Sequence, residues 1–142
     1  MNKATVEAKP CTLEMLNEIE PRDGSEVSPS MQGVDFRHSV AIIVDGRTIA
    51  AGGIHPIWDR VGEAWTVLSD ESVTKYKLST AKHIKKHFDE HMKDFGRVQM
   101  FGSADDPSML HWAKFFGFKI DGELENFGPG AKGNYWLFGR VN

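Results

Sequence analysis

Hydrophobic and polar positions alternate at Ala4, Val6 and Ala8, the two-residue period of a strand with one buried face. After Pro10, Thr12 precedes Leu13, Leu16 and Ile19, and Pro21 closes the run, which predicts a short helix capped by Thr12 with those three residues inward. The stretch 22–36 mixes glycine, serine, proline and charge, and reads as an irregular connection with at most one helical turn.

Two β-rich runs follow, Ser39-Val40-Ala41-Ile42-Ile43-Val44 and Arg47-Thr48-Ile49-Ala50-Ala51, separated by Asp45-Gly46. Asp-Gly between such runs predicts a two-residue hairpin turn, because both central positions need positive φ. Gly52-Gly53 then predicts a bulge or a close approach of two backbones. Ile54-His55-Pro56 leads to a turn around 59–62, and 63–69 alternates as a third strand of an antiparallel meander.

Over 74–95 the period becomes helical, with Leu78, Ala81, Ile84, Phe88, Met92 and Phe95 three or four apart and predicted inward. A strand at 97–101 precedes Asp106-Pro107, a cap followed by proline in the first helical position, which opens a helix burying Leu110, Ala113 and Phe116 and stopping at Gly117. Strands at 118–124 and 134–141, joined through Gly128-Pro129-Gly130, end the chain.

The 142 residues suffice for one domain, expected over 1–142, without repeat or linker. At 40% hydrophobic and 26% charged, the chain has the composition of an ordinary globular protein rather than a disordered or coiled-coil one. The apolar run through Ala41, Ile42, Ile43 and Val44 is far shorter than a membrane span, and the first residues carry no apolar signal segment, so the expectation is a cytoplasmic protein without membrane contact. Cys11, the single cysteine, excludes an internal disulfide and a cysteine-built zinc site. Residues 1–70 carry a net −5 and 71–142 a net +2, too weak a polarity for general nucleic-acid binding but compatible with a local anion site in the second half.

This order of elements resembles the GNAT superfamily of N-acetyltransferases. The segment from Ala104 through Leu110 and Trp112 to Gly117-Phe118 is similar to that family's helix ending in Gly-Phe. A closer likeness is to small GNAT-like proteins of tailed phages, including internal virion proteins of short-tailed phages, which share Trp65 followed by Ser69-Asp70, a lysine-rich helix and the Gly117-Phe118 ending. The resemblance implies an α/β (α+β) fold, the GNAT-like acyl-CoA N-acyltransferase fold, with a mixed, mostly antiparallel central sheet and helices on both faces. It implies acetyl-CoA as cosubstrate, an amine acceptor, and a pantetheine arm hydrogen-bonding like an extra strand near Val67 and Ser69, where the sheet splays between the strand at Val67 and that at Val98. In place of the family's glycine-rich phosphate loop, 72–81 contains no glycine. Ala113 stands where many members carry a tyrosine acid, and Asp106 where they carry an asparagine.

Several side chains take their candidate roles against that background. Lys75 and Lys77, with Ser79 and Thr80, form a phosphate site made by side chains, or else Lys75, Lys77, Lys82, Lys85 and Lys86 are a solvated basic face. Asp106 is placed beside the cofactor by the alignment alone. Glu63, at a position where the resemblance puts a carboxylate, is the candidate base or an exposed strand-end glutamate. His111 is the candidate proton donor to the leaving thiolate or a surface histidine. His83, His87 and His91 make a stripe at zinc-compatible spacing, but the interleaved lysines repel a cation and no metal is expected. Two functions stand side by side: an acetyl-CoA-dependent N-acetyltransferase acting on an amine, and a catalytically silent GNAT-like phage protein with a structural (virion) or host-interaction role. Partners beyond substrate are a homodimer or a phage or host protein, with the host cytoplasm or the virion as its place if the chain is phage-encoded.

Overall fold

The computed structural model describes residues 5–22 and 35–142. Of the predicted connection 22–36, positions 23–34 lie outside the described residues, and Phe36–His38 forms a 3-10 turn capped by Asp35. Asp45 and Gly46 have φ of 48° and 81°, the left-handed pair a tight hairpin turn needs, and β2 (Ser39–Val44) and β3 (Arg47–Trp58) leave it antiparallel. With β1 (Val6–Lys9), β4 (Val61–Leu68), β5 (Arg97–Ser103), β6 (Lys119–Leu124) and β7 (Tyr135–Val141), they follow the hydrogen-bonded order β1-β2-β3-β4-β5-β7-β6. The sheet is mixed, because β4 and β5 run parallel while β1–β2, β5–β7 and β6–β7 are antiparallel. Among the described residues the strands are accompanied by the helices α1 (Leu13–Glu18), α2 (Asp70–Val73), α3 (Lys77–His91) and α4 (Pro107–Phe115).

The contacts gather into two compact units, the first from residues before Pro56 together with Ala64–His91, the second from Pro56–Glu63 and Met92–Asn142. In the first unit every residue of β2 is buried, which a strand covered on both faces requires. On one face Cys11, Ile19, Ala41, Ala51, Trp65 and Val67 pack with Met15, Leu16 and Phe36. Ala51 and Gly52 point oppositely along β3, and a Cβ on Gly52 would stand 3.7 Å from Ile84 Cγ2, so α3 covers the other face. Its inward stripe is Thr80, Ala81, Ile84 and Phe88.

Several expectations need correction. The helix expected over 74–95 starts only at Lys77, after a turn that follows α2, and its last residues form a 3-10 turn at Met92–Asp94. Leu78 is 74% exposed because the inward stripe of α3 begins later in its first turn, at Thr80 and Ala81. Leu13 is 60% exposed, since α1 spans six residues and packs through Met15 and Leu16. The bulge does not fall at the glycine pair: Ile42 pairs with Ala50 and Ile43 with Thr48, leaving Ile49 as the extra residue. The glycines instead meet the close-approach expectation, as a Cβ on Gly53 would lie 2.5 Å from His38 O and 2.9 Å from Ser39 Cα.

In the second unit β7 lies between β5 and β6, with Phe138 and Val98 fully buried. Both ends of α4 follow the sequence. The Asp106 carboxylate accepts from Ser108 N at 3.0 Å, Pro107 opens the helix, and Gly117 at φ 86° closes it while Phe118 N donates to Ala113 O at 2.8 Å. The parallel pairing of β4 with β5 covers Val61–Arg97, Gly62–Val98 and Glu63–Gln99.

Replacing Gly53 by alanine is expected to cost about 1–3 kcal/mol, because the atoms it meets are backbone. Thermal unfolding will show a midpoint several degrees lower, while Gly122→Ala, with open space around it, leaves the midpoint no lower. Burial pushes the Cys11 thiol from about 9 up to about 11. A thiol protonated more tightly in the folded state adds stability in full below about pH 9 and loses it as the pH rises through about 11. At pH 8 Ellman's reagent should leave the native thiol unmodified and titrate one thiol after denaturation.

Candidate functional site

The chain leaving β4 is organised by Ser69. Its N–H donates to Ile49 O at 3.1 Å, toward β3, and its hydroxyl accepts from Ser72 N at 3.3 Å as the cap of α2. Ser72 Oγ returns a bond to Ser69 O at 2.7 Å. Because main-chain groups alternate sides along a strand, those of Val67 and Ser69 turn toward β3, and those of Thr66 and Leu68 turn away. The carbonyl of Leu68 accepts from Arg22 N at 2.8 Å, which agrees with this alternation. The backbone near Val67 and Ser69 is where the resemblance puts the pantetheine arm; at these two residues the main-chain groups turn toward β3, and the outward ones belong to the neighbouring Thr66 and Leu68. The signal that would have found them is the Ser69-Asp70-Glu71 helix start, which ties Ser69 to both strand and cap.

Over 72–81, where the glycine-rich loop is expected, stand the last residues of the four-residue α2, a turn in which Tyr76 N donates to Glu71 O at 2.9 Å, and the start of α3. Glu71 is held by Arg47 through contacts of 2.6 and 3.3 Å, so its carboxylate faces the β2–β3 hairpin. At the start of α3, Thr80 N donates to Tyr76 O at 2.9 Å, while the N–H groups of Leu78 and Ser79 have no backbone acceptor among the described residues. Lys75 and Lys77 are exposed beside them, with Lys75 Nζ 5.2 Å from the centre of the Tyr76 ring. Ser79 is half-buried, and its carbonyl accepts from His83 Nδ1 at 2.7 Å, which places a proton on that nitrogen. Thr80 departs from this group: it is 4% exposed, and its Oγ1 is buried without a hydrogen-bond partner. The first turn of α3 thus collects Lys75, Lys77 and Ser79 at the surface and sets Thr80 beneath it.

Farther along α3 the basic face is partly neutralised, with Lys85 Nζ 2.6 Å from Asp89 and His87 Nδ1 4.0 Å from Glu90. The ring of His91 meets that of His38 edge-on at 5.3 Å, and among the described residues no three metal-binding side chains gather. A groove of about 720 Å³ lies in the same unit, lined by Glu18, Glu20, Arg22, Arg47, Asp70 and Glu71 among others. Its carboxylates outnumber its cations, and of the candidate catalytic and cofactor-binding residues Ser69 alone lines it.

The remaining candidates belong to the second unit. Glu63 is half-buried, opposite Gln99 in the parallel pair. Asp106 is exposed and occupied as the cap of α4, accepting also from Ser108 Oγ at 2.7 Å. His111 is exposed on α4 with its ring edge-on to Trp112 at 5.9 Å, and Ala113 beyond it is 1% exposed.

No protein-family model and no curated protein sequence matches the chain. Solved structures do match in shape. The Ard1 protein of Thermoplasma volcanium superposes with a TM-score of 0.70 at 10% identity, over 96% of this chain and 97% of that one. The ribosomal-protein-S18-alanine N-acetyltransferase of Escherichia coli gives 0.73 at 6% identity, over 96% and 94%. A GNAT-family acetyltransferase of Bacillus anthracis gives 0.57 at 11% identity, over 73% and 66%. At such identities the likeness concerns the path of the backbone, and it agrees with the mixed seven-stranded sheet and its helices: the chain has the α/β fold of the GNAT acetyltransferases.

Proposed function

We propose that this chain is an N-acetyltransferase that takes acetyl-CoA and an amine. The observation carrying the reading is the first turn of α3, where the unclaimed N–H groups of Leu78 and Ser79 stand with the exposed Lys75 and Lys77. Main-chain donors at the positive end of a fifteen-residue helix, with two ammonium groups beside them, suit a diphosphate. The orphaned Thr80 hydroxyl under the same turn is a further donor in want of an acceptor. These residues fit the phosphates of coenzyme A, although glycine-loop amides are lacking. When bound, acetyl-CoA supplies an acetyl group activated as a thioester.

Lys75, Lys77 and the α3 amides would hold the phosphates, and the outward main-chain groups of Thr66 and Leu68, rather than those of Val67 and Ser69, would align the pantetheine arm as an added strand. Glu63 would take the proton that an ammonium must lose before its nitrogen can attack. His111, exposed on α4, is the candidate for returning a proton to the sulfur. Asp106 contributes by fixing the start of α4 and has no contact role in this scheme.

A second reading rests on 72–81, which holds no glycine where the family's loop is expected, and on Ala113 and Asp106 standing in place of its usual tyrosine and asparagine. These departures favour a GNAT-shaped protein without catalysis, which the phage resemblance would place in the virion or on a host protein.

Isothermal titration with coenzyme A and acetyl-CoA separates the two. Saturable micromolar binding is expected for the enzyme, and absence of binding up to millimolar ligand would leave the second reading. Lys77→Ala should raise the dissociation constant about three- to tenfold, with a larger effect at low salt than at high salt. In an amine-acceptor assay Glu63→Gln should lower kcat about a hundredfold or more while leaving coenzyme A affinity intact, and full activity would remove Glu63 as the base.

A further inference from the structure

The carbonyl of Leu68 turns away from β3, to the side of β4 on which an added strand would have to pair. It is already in use, accepting from Arg22 N at 2.8 Å. Arg22 follows Pro21, which has no N–H and a fixed φ, and Pro21 follows Glu20 close behind α1. Through Ile19, 5% exposed in the core, and Glu18, whose carboxylate accepts from Thr48 N at 3.2 Å, the chain leading to Arg22 is anchored to the first unit.

We propose that Arg22 is a strap on the outer edge of β4, and that any extended ligand pairing with this edge must release the Arg22–Leu68 bond. The inference rests on the reading of β4 as the strand that receives the pantetheine arm, and adds to it a competition between ligand and chain for one carbonyl. A main-chain hydrogen bond in a protein is worth only a modest net free energy, so the strap lowers affinity without abolishing it. It also couples ligand binding to the residues after α1, because a released Arg22 is no longer fixed to the end of β4.

The test compares Arg22→Pro, which removes the N–H, with Arg22→Ala, which keeps it, so that loss of the guanidinium is common to both. In titrations with coenzyme A, Arg22→Pro should bind about three- to tenfold more tightly than Arg22→Ala. Equal affinities, or weaker binding by Arg22→Pro, would overturn the strap. Hydrogen exchange on the wild-type protein gives a second answer that does not depend on the proline variant folding. The Arg22 amide should be protected without ligand and lose that protection when coenzyme A saturates the protein, whereas protection retained at saturation would overturn the proposal. If neither wild type nor Arg22→Ala binds coenzyme A up to millimolar ligand, it is the acetyltransferase reading that fails, and the strap as a competitor of that ligand falls with it.

Discussion

Ser69 holds the end of β4 and the beginning of α2 at once, with its N–H on Ile49, its hydroxyl under Ser72 N and its carbonyl receiving Ser72 Oγ. At 8% exposure it satisfies these groups away from water, where leaving them unmade would be costly. Much else is set by this residue. It fixes which main-chain groups of β4 face β3 and which face outward, and it starts α2, whose Glu71 receives the turn that introduces α3. The polar end of α3 therefore owes its position to a serine whose own groups are all turned inward.

The electrostatics at this end of the first unit follow a division of labour. Glu71 is engaged by Arg47 from the hairpin, so the acid nearest to Lys75 and Lys77 in sequence is not their partner in that ion pair. Lys75 rests its charge over the Tyr76 ring, an interaction of modest strength at an exposed site. Cations near a helix N-terminus oppose its dipole, so Lys75 and Lys77 stand at the electrostatically less favourable end of α3.

What the sequence revealed, it revealed where local chemistry decides. The Asp45-Gly46 turn, the Thr12 cap and the Asp106-Pro107 and Gly117 ends of α4 each depend on one or two residues acting on their own backbone, and each stands as read. The GNAT order of strands and helices was legible for the same reason, since turns and periods delimit the elements. Where packing decides, the pattern misled. Leu13 and Leu78 match the apolar period yet face water, because the lengths and starts of α1 and α3 rather than the period determine which turn meets the sheet. Thr80 looked like a surface hydroxyl and is buried for that reason. The outward groups of Thr66 and Leu68 belong to the main chain, on which side-chain chemistry gives no information. They emerge only once the bond from Ser69 to Ile49 fixes the orientation of the strand.

The two units also differ in when the ribosome can deliver them. Every segment of the first, through His91, is synthesised before the bulk of the second, and Pro56–Glu63 reaches solvent long before the Arg97–Gln99 stretch it pairs with exists. The first unit can therefore close on its own residues during translation, while the short strand 61–63 waits as a docking edge for β5. Ile57 and Trp58, still 37% and 71% exposed in the finished fold, lie in this waiting segment. A growing chain of this kind holds two large apolar side chains beside a strand edge whose partner is still unmade, and the closing of the parallel pair ends that exposure of the edge.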